Sequence, residues 1–476
     1  MWEYINEKLM NFENCFSRKA AFRWFVIVIA GLMVRSDNLG VTSIIRALGI
    51  APRFYESLIH FFHASSWEID KIRHKWIGVA AKSELIYRVN GRPVLIADGV
   101  KQSKEARKMP CVKKLVQESE NSAKPKYIFG HMFGAIGVLV GDAGKLFCAP
   151  LSMRIHDGNE TVGQWAGDPL SQDSHVVRII REACRIASFI EPSVLLLDRY
   201  FLTVPALQAL NVAEKECGHQ LLTLVTKAKK NIVAYEKPTA RAGRGRPPKK
   251  GQALKLKTLF DTQADKFMQS TVNVYGKRVK VSFLCRNLLW GQGLYHKLRF
   301  VLVKMDGVCS ILVSTDTAMP PETIIELYAL RFKIESCFRE LKQVVAGFAY
   351  HFWTFAMPRL NRFTHNDLLR KQLDGIQDDR QKAAIVNAFK AIEGFAMFAC
   401  ITIGLLQMGA LRFGSQINGC AFRWLRTKSN KTPSEATTAD FLRKTIFCDF
   451  YFPPKLDIAQ FINELQPAIC TDKAIA

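Results

Sequence analysis

The chain has 476 residues, 49% of them hydrophobic, which fills sizeable cores in two to four domains and excludes wholesale disorder. Lys and Arg exceed Asp and Glu by 67 − 42 = 25, and the sequence pI is near 9.6. So large an excess selects a polyanionic partner, nucleic acid ahead of a membrane surface. The 12 cysteines include no Cys-x-x-Cys pair. Cys217 with His219 lacks a second half, so reduced core thiols in a cytosolic protein are expected rather than zinc.

The N-terminus, MWEYINEKLMNFENC, carries mixed charges and no apolar signal region. Residues 1–88 read as helical. The run WFVIVIAGLMV, Trp24 to Val34, is too short to span a bilayer and reads as a core helix. In GVTSIIRALGIAPRFYESLIHFF a turn at Leu48-Gly49-Ile50 separates two helices, with Pro52 early in the second, a helix-turn-helix pattern that the basic charge tips towards DNA.

From residue 89 the pattern turns α/β. RPVLIAD, Arg92 to Asp98, reads as a buried strand ending in an acid, followed by strands in YIFGHMFGAIGVLV and LFCAPLSMRI and an amphipathic helix in SHVVRIIREACRIASFI. SVLLLDRYF repeats the first theme and ends its apolar run at Asp198. A helix from Pro205 to Val212 and a strand in QLLTLVTK complete this layer.

Lys227 to Lys257 holds eleven Lys or Arg in 31 residues against one acid, Glu236, and reads as an exposed loop. Inside it, Arg244-Gly245-Arg246-Pro247 resembles an AT-hook. Two hairpin-like stretches up to residue 319 imply a β-rich unit. Helical period returns from Pro320 to Val345 and dominates 351–476, apart from a polar linker near TKSNKTPSEATT. Within the C-terminal region, Gly394 to Leu411 is apolar on all sides and long enough to span a membrane. A buried helix is the better reading, because one lone span leaves the charge unexplained.

In YALRFKIESCFRELK a continuous helix would place Tyr328, Arg331, Glu335 and Lys342 within about 60° of one another, beside an apolar stripe that anchors it. A lone carboxylate among cations suits a metal held beside phosphates, and Asp98 and Asp198 supply further ligands. These four residues match a Tyr-x2-Arg-x3-Glu-x6-Lys signature. With Asp98 and Asp198, the chain resembles a DDE transposase of bacterial insertion sequences, in the branch that carries this signature. The resemblance covers about residues 90 to 350, and the 137 residues from Asp198 to Glu335 fit a β-rich insertion into a ribonuclease H-like fold.

The resemblance implies an α/β ribonuclease H-like catalytic core with a β-rich insertion, flanked by helical N- and C-terminal domains. Its parts would be a DNA-binding domain at 1–88, core at 89–228 and 320–350, basic loop and insertion at 229–319, and a helical region at 351–476. Asp98, Asp198 and Glu335 would hold two Mg²⁺ or Mn²⁺ ions for in-line displacement at phosphorus. Tyr328, Arg331 and Lys342 would grip phosphates, as would Arg199. Trp290 is the aromatic nominated to stack a flipped base.

The expected partners are double-stranded DNA, as terminal inverted repeats and as target, and a second copy of the chain in a homodimer. No membrane partner is expected, and the protein should sit in the bacterial cytoplasm on the nucleoid. If Asp98 is not the first ligand, Asp142, Asp157, Asp168 or Asp173 replaces it. In the basic loop Arg244, Arg246, Lys249 and Lys250 would neutralise DNA phosphates. The competing functions are a non-catalytic DNA-binding or regulatory protein and a ribonuclease H-like nuclease without strand transfer.

Overall fold

The computed structural model describes residues 1–117, 125–142, 144–239, 247–360, 366–419, 432–450 and 456–467. Five helices open the chain: α1 (Trp2–Met10), α2 (Lys19–Val34), α3 (Thr42–Ala47), α4 (Tyr55–His63) and α5 (Ile69–Ala81). The run expected to be a core helix lies in α2, which is buried at every residue from Phe25 to Val34. Between α3 and α4, Gly49 takes φ +62°. Its N–H donates to Arg46 O and that of Ile50 to Ile45 O, the paired bonds that close a helix C-terminus where only Gly is unstrained. A short 3-10 turn, Pro52–Phe54, then leads into α4, whose Leu58, Phe61 and Phe62 face inward.

The central layer follows as β1 (Arg88–Val89), β2 (Arg92–Ser103), β3 (Lys113–Val116), β4 (Tyr127–Asp142), β5 (Lys145–Asp157), α6 (Glu160–Trp165), α7 (His175–Ile190), β6 (Ser193–Leu196), α8 (Val204–Cys217) and β7 (Leu222–Lys227). β5, β4 and β2 run antiparallel to their neighbours, whereas β2, β6 and β7 are parallel. Where they pair in parallel these strands are continuously buried and mostly apolar, as strands covered on both faces must be. This mixed sheet of order β5-β4-β2-β6-β7 is compatible with a ribonuclease H-like core.

Next come β8 (Val233–Tyr235), β9 (Ala253–Lys255), α9 (Leu259–Thr262), β10 (Met268–Val274), β11 (Lys277–Trp290), β12 (His296–Met305) and β13 (Val308–Ser314). β13 pairs with β7, so these strands extend the central sheet instead of forming a layer of their own. The stretch read as one exposed loop contains two strands, because Val233–Tyr235 pairs with Ala253–Lys255 and caps the sheet edge.

The rest is α10 (Pro321–Leu330), α11 (Lys333–Gln343), α12 (Asn366–Asp374), α13 (Asp379–Arg412), α14 (Gly414–Gly419), α15 (Glu435–Phe450) and α16 (Asp457–Asn463). α13 is long and apolar enough to cross a membrane, yet 94% of its most apolar stretch is buried within the protein. It packs against α2, α4, β5 and α15. A Cβ at Gly404 would run into the Trp76 ring of α5, whose indole N–H donates to Pro150 O at 2.8 Å. This glycine therefore sets how closely α5 and β5 approach the central helix.

Candidate active site

Parallel pairing brings the first two carboxylates together. β2 and β6 are in register at Val94 with Val194, Leu95 with Leu195 and Ile96 with Leu196. Asp98 and Asp198 each lie two residues past that last rung, on the same side of the sheet by the period-two rule. The expectation that both acids end their strands holds only for the parallel pairing. β2 itself runs on to Ser103 because its antiparallel partner β4 continues to Gly130. Asp198 starts a 3-10 turn, and its carbonyl accepts from the Thr226 hydroxyl at 2.9 Å, fixing it against β7.

The helix drawn through Tyr328 and Lys342 is broken at Arg331–Phe332, between α10 and α11. Arg331, Ile334 and Glu335 N–H groups each bond three residues back, tightening the chain into a 3-10-like turn between α10 and α11. Arg331, at this corner, reaches Asp98 Oδ2 at 3.1 Å through one terminal nitrogen and Glu335 Oε1 through the other. Its guanidinium thus joins the first and third carboxylates.

The electrostatics agree with a shared cluster. Burial, opposed by Arg331 and the Gly99 N–H and reinforced by Asp198 and Glu335, pushes the Asp98 carboxyl up to about 6. Arg331 is held above its usual range: burial works against its charge, but Asp98 and Glu335 outweigh it. Burial also pushes Tyr328 up to about 12, with Arg331 lowering and Asp198 raising it, so the phenol stays protonated beside the site. Lys342 lies seven residues beyond Glu335 on α11, exposed, with Nζ 5.9 Å from the centre of the Phe348 ring.

Arg199 is exposed directly after Asp198. Trp290 is half-buried at the end of β11, paired with His296. The turn after it rests near Val204 at the start of α8, which brings the hairpin tip towards the Asp198 segment. Lys249 and Lys250 are exposed, and Lys250 Nζ sits 4.4 Å over the Tyr235 ring and 5.5 Å over Tyr295. Arg244 and Arg246, with most of the AT-hook-like core, lie outside the described residues. The reserve acids have other partners. Asp142 accepts from the Gly144 and Lys145 N–H groups. Asp157 pairs with Lys113, Asp168 with Arg178, and Asp173 with Arg181.

Three features escaped the sequence. Lys227, read only as the start of the basic stretch, is half-buried, and its pKa is lowered by burial and then by Arg199, with Asp198 opposing and Arg331 among the further contributors. Its charge is therefore set by some of the same groups that surround the carboxylates. Behind β2, His175 at the start of α7 abuts Gly99, where a Cβ would lie 3.0 Å from its Nε2. His175 Nδ1 lies 3.0 Å from His156 Nδ1, and His156 Nε2 lies 3.4 Å from Glu182. Glu182 also faces Arg154. Finally, buried Arg35 donates to the Val345 and Ala346 carbonyls, tying the N-terminal helices to the end of α11. Single-sequence patterns carry no signal for such pairs, since their members are far apart in the chain.

Among the described residues, no three His, Cys, Asp or Glu side chains are gathered closely enough to hold a metal ion. The donor chemistry still fits a hard divalent cation. The group is all carboxylate, Asp198 and Glu335 both raise the proton affinity of Asp98, and a guanidinium already bridges two of the acids.

Residues 11–277 match the family described as DDE superfamily endonuclease. That match spans Asp98 and Asp198 and ends before Tyr328, Arg331 and Glu335. Searches of curated proteins and of solved structures returned no match. With more than half of its length in the family and two carboxylates each two residues past the last paired rung of parallel β2 and β6, the chain belongs to the DDE superfamily endonucleases.

Proposed function

We propose that the protein is a transposase that binds the terminal inverted repeats of its own insertion sequence and cuts and rejoins DNA at a site built on Asp98, Asp198 and Glu335. The observation that carries this is that Asp98 and Asp198 each follow the last parallel rung of β2 and β6 by two residues, with Arg331 joining Asp98 to Glu335. DNA as substrate follows from the family and agrees with the net charge of +25.

Asp98, Asp198 and Glu335 would hold the Mg²⁺ or Mn²⁺ ions. When bound, such ions activate a water or a 3′-hydroxyl and offset charge on the departing oxygen. The protein's own groups do the positioning. Tyr328, protonated and half-buried, donates a hydrogen bond to a phosphate oxygen. Lys227, Arg199 and Lys342 supply charge along the backbone without reading sequence, and Arg331 turns from the carboxylates to the phosphate. Trp290, near the Asp198 segment, would stack a displaced base of the transposon end. Lys249 and Lys250, with Arg244 and Arg246, extend the electropositive path. The α3–α4 pair would contact the repeats, leaving Arg53, Ser57 and His60 on its exposed side. The protein would act as a homodimer on the bacterial nucleoid.

The test is to incubate the protein with Mg²⁺ and DNA carrying the inverted repeats that flank its gene. Cleavage at the repeat ends with joining to a second DNA supports the reading. Cleavage without joining reduces it to a nuclease, and binding alone removes the catalytic part.

A further inference from the structure

The segment after α11 is held rigidly. Lys104, buried, donates to the Phe348 and Tyr350 carbonyls, the latter at 2.9 Å, and lies 3.7 Å over the Tyr350 ring. Tyr350 itself is buried, with its hydroxyl 2.7 Å from His131 Nδ1. Thr354 N–H donates to Lys108 O at 3.1 Å and Leu360 N–H to Arg107 O at 2.7 Å. Phe352, Met357 and Leu360 turn inward from this frame. Trp353 and Phe355 turn outward, 51% and 78% exposed, with their rings edge to face at 4.7 Å. A frame so well bonded that exposes its two largest aromatic rings side by side presents a binding surface.

The rim identifies the ligand. Lys108 Nζ lies 5.2 Å over the Phe355 ring and donates to Phe355 O at 3.1 Å, and Arg107 and Arg359 are exposed. Between Lys101 and Lys114 six Lys or Arg accompany one acid, Glu105. Aromatic faces inside a cationic rim suit a base whose flanking phosphates meet the cations, and stacking accepts any base. A second copy of this chain would instead bring a rim of like charge. The surface is anchored to the chain that leaves β2, the strand that carries Asp98. β2 continues from Asp98 for about 16 Å to Ser103, next to the Lys104 that bonds the platform segment, a span on the order of five nucleotides of a stacked strand.

We propose that Trp353 and Phe355 form a stacking platform for an unpaired DNA base on the strand leaving the catalytic site, an inference that rests on the DNA-cutting reading above. The test compares two DNA probes, a fully paired duplex and the same duplex with a five-nucleotide single-stranded tail carrying 2-aminopurine. With the tailed probe, wild type should quench the 2-aminopurine. Trp353→Ala with Phe355→Ala should abolish the quench and weaken tailed-probe binding roughly tenfold, the loss expected of base stacking. Duplex affinity should stay within about twofold, and Trp353→Phe should keep most of the quench.

Equal affinity of the double variant and wild type for the tailed probe, with duplex binding intact, overturns the platform alone. So does a loss of the same size on both probes, or a change in oligomeric state without DNA. If wild type binds neither probe, the DNA-cutting reading falls and the platform with it.

Discussion

Arg331 donates to Asp98 at 3.1 Å and to Glu335 on the next helix, so one guanidinium neutralises two carboxylates that face a third, Asp198. In the metal-free protein this cation relieves the repulsion that otherwise accompanies three neighbouring acids. Arg331→Ala should therefore lower metal-free stability by about 1.5–3 kcal/mol, the cost of losing charge-assisted bonds. The same change leaves the acids freer to take a metal ion. Millimolar Mg²⁺ should raise the Tm of the variant more than that of wild type, by mass action on the folded state. Calorimetry with and without Mg²⁺ checks this; an equal or smaller shift in the variant counts against the shared cluster.

Asp98→Asn and Asp198→Ala should each cut DNA cleavage by at least about a thousandfold, while affinity for DNA changes by less than about threefold. The two acids occupy equivalent positions beyond the Ile96–Leu196 rung, so neither can substitute for the other. Gel assays for nicking and a parallel binding titration separate the two effects. Retained cutting by either variant removes that residue from the site.

Much of this was legible because the strongest signals are local. Four or five apolar residues followed by an acid marked β2 and β6, the hydrophobic period marked α7, and a run apolar on all sides marked α13. Two things were not legible. The break between α10 and α11 at Arg331 leaves the sequence period almost undisturbed, since a tightened turn removes a fraction of a residue's rotation while the flanking stripe continues. The partners of buried charges were also invisible, because Glu182, Arg154 and His156 meet only when β5 and α7 pack, and nothing in any one segment announces the other.

Lys227 stands at the end of β7, next to the segment that carries Asp198 and Arg199. Burial and neighbouring cations lower its pKa, so an incoming phosphate, which restores the charged form, should bind strongly there. Lys227→Ala should weaken binding to duplex DNA of any sequence and reduce the slope of log affinity against log salt by about 1. Lys227→Arg should restore the slope. Filter binding over a salt series measures it, and an unchanged slope in Lys227→Ala places this lysine off the DNA path.

Glu182 is buried between Arg154 and His156, and these groups hold its carboxyl well below the usual carboxylate range against the opposing effect of burial. Removing one charge from such a set strands the others. Glu182→Gln should destabilise the fold by about 3–5 kcal/mol, visible as a lower denaturant midpoint with unchanged slope. Because His156 hands its position on to His175 beside Gly99, the same variant should also slow cleavage. A midpoint within error of wild type would mean that the cluster contributes nothing to the core.

His131 and His175 give the fold a second dependence on pH. Burial lowers His131 to about 4, the Pro110 carbonyl opposing, and lowers His175 to about 3, aided by His156 and Arg178. His131 Nε2 donates to Pro110 O, so its Nδ1 accepts from the Tyr350 hydroxyl and the neutral ring is the bonded form. For a folded pKa below the unfolded one, the unfolded chain binds more protons in the interval between them. The stabilisation is therefore complete above about 6.5 and is lost as pH falls towards 4. Asp98, raised to about 6, works in the opposite sense between about 6 and 3.8, and Glu182 adds its own loss only below about 4.5. An Asp98→Asn background removes one opposing group, and Glu393 and Glu435, which burial also raises, act alike in both proteins compared there. There, Tm should fall steadily from pH 6.5 to 5, and His131→Gln should start lower at pH 7.5 but fall less. A flat profile in that background, or an unaltered slope in His131→Gln, would show that the histidine is not buried neutral between Pro110 and Tyr350.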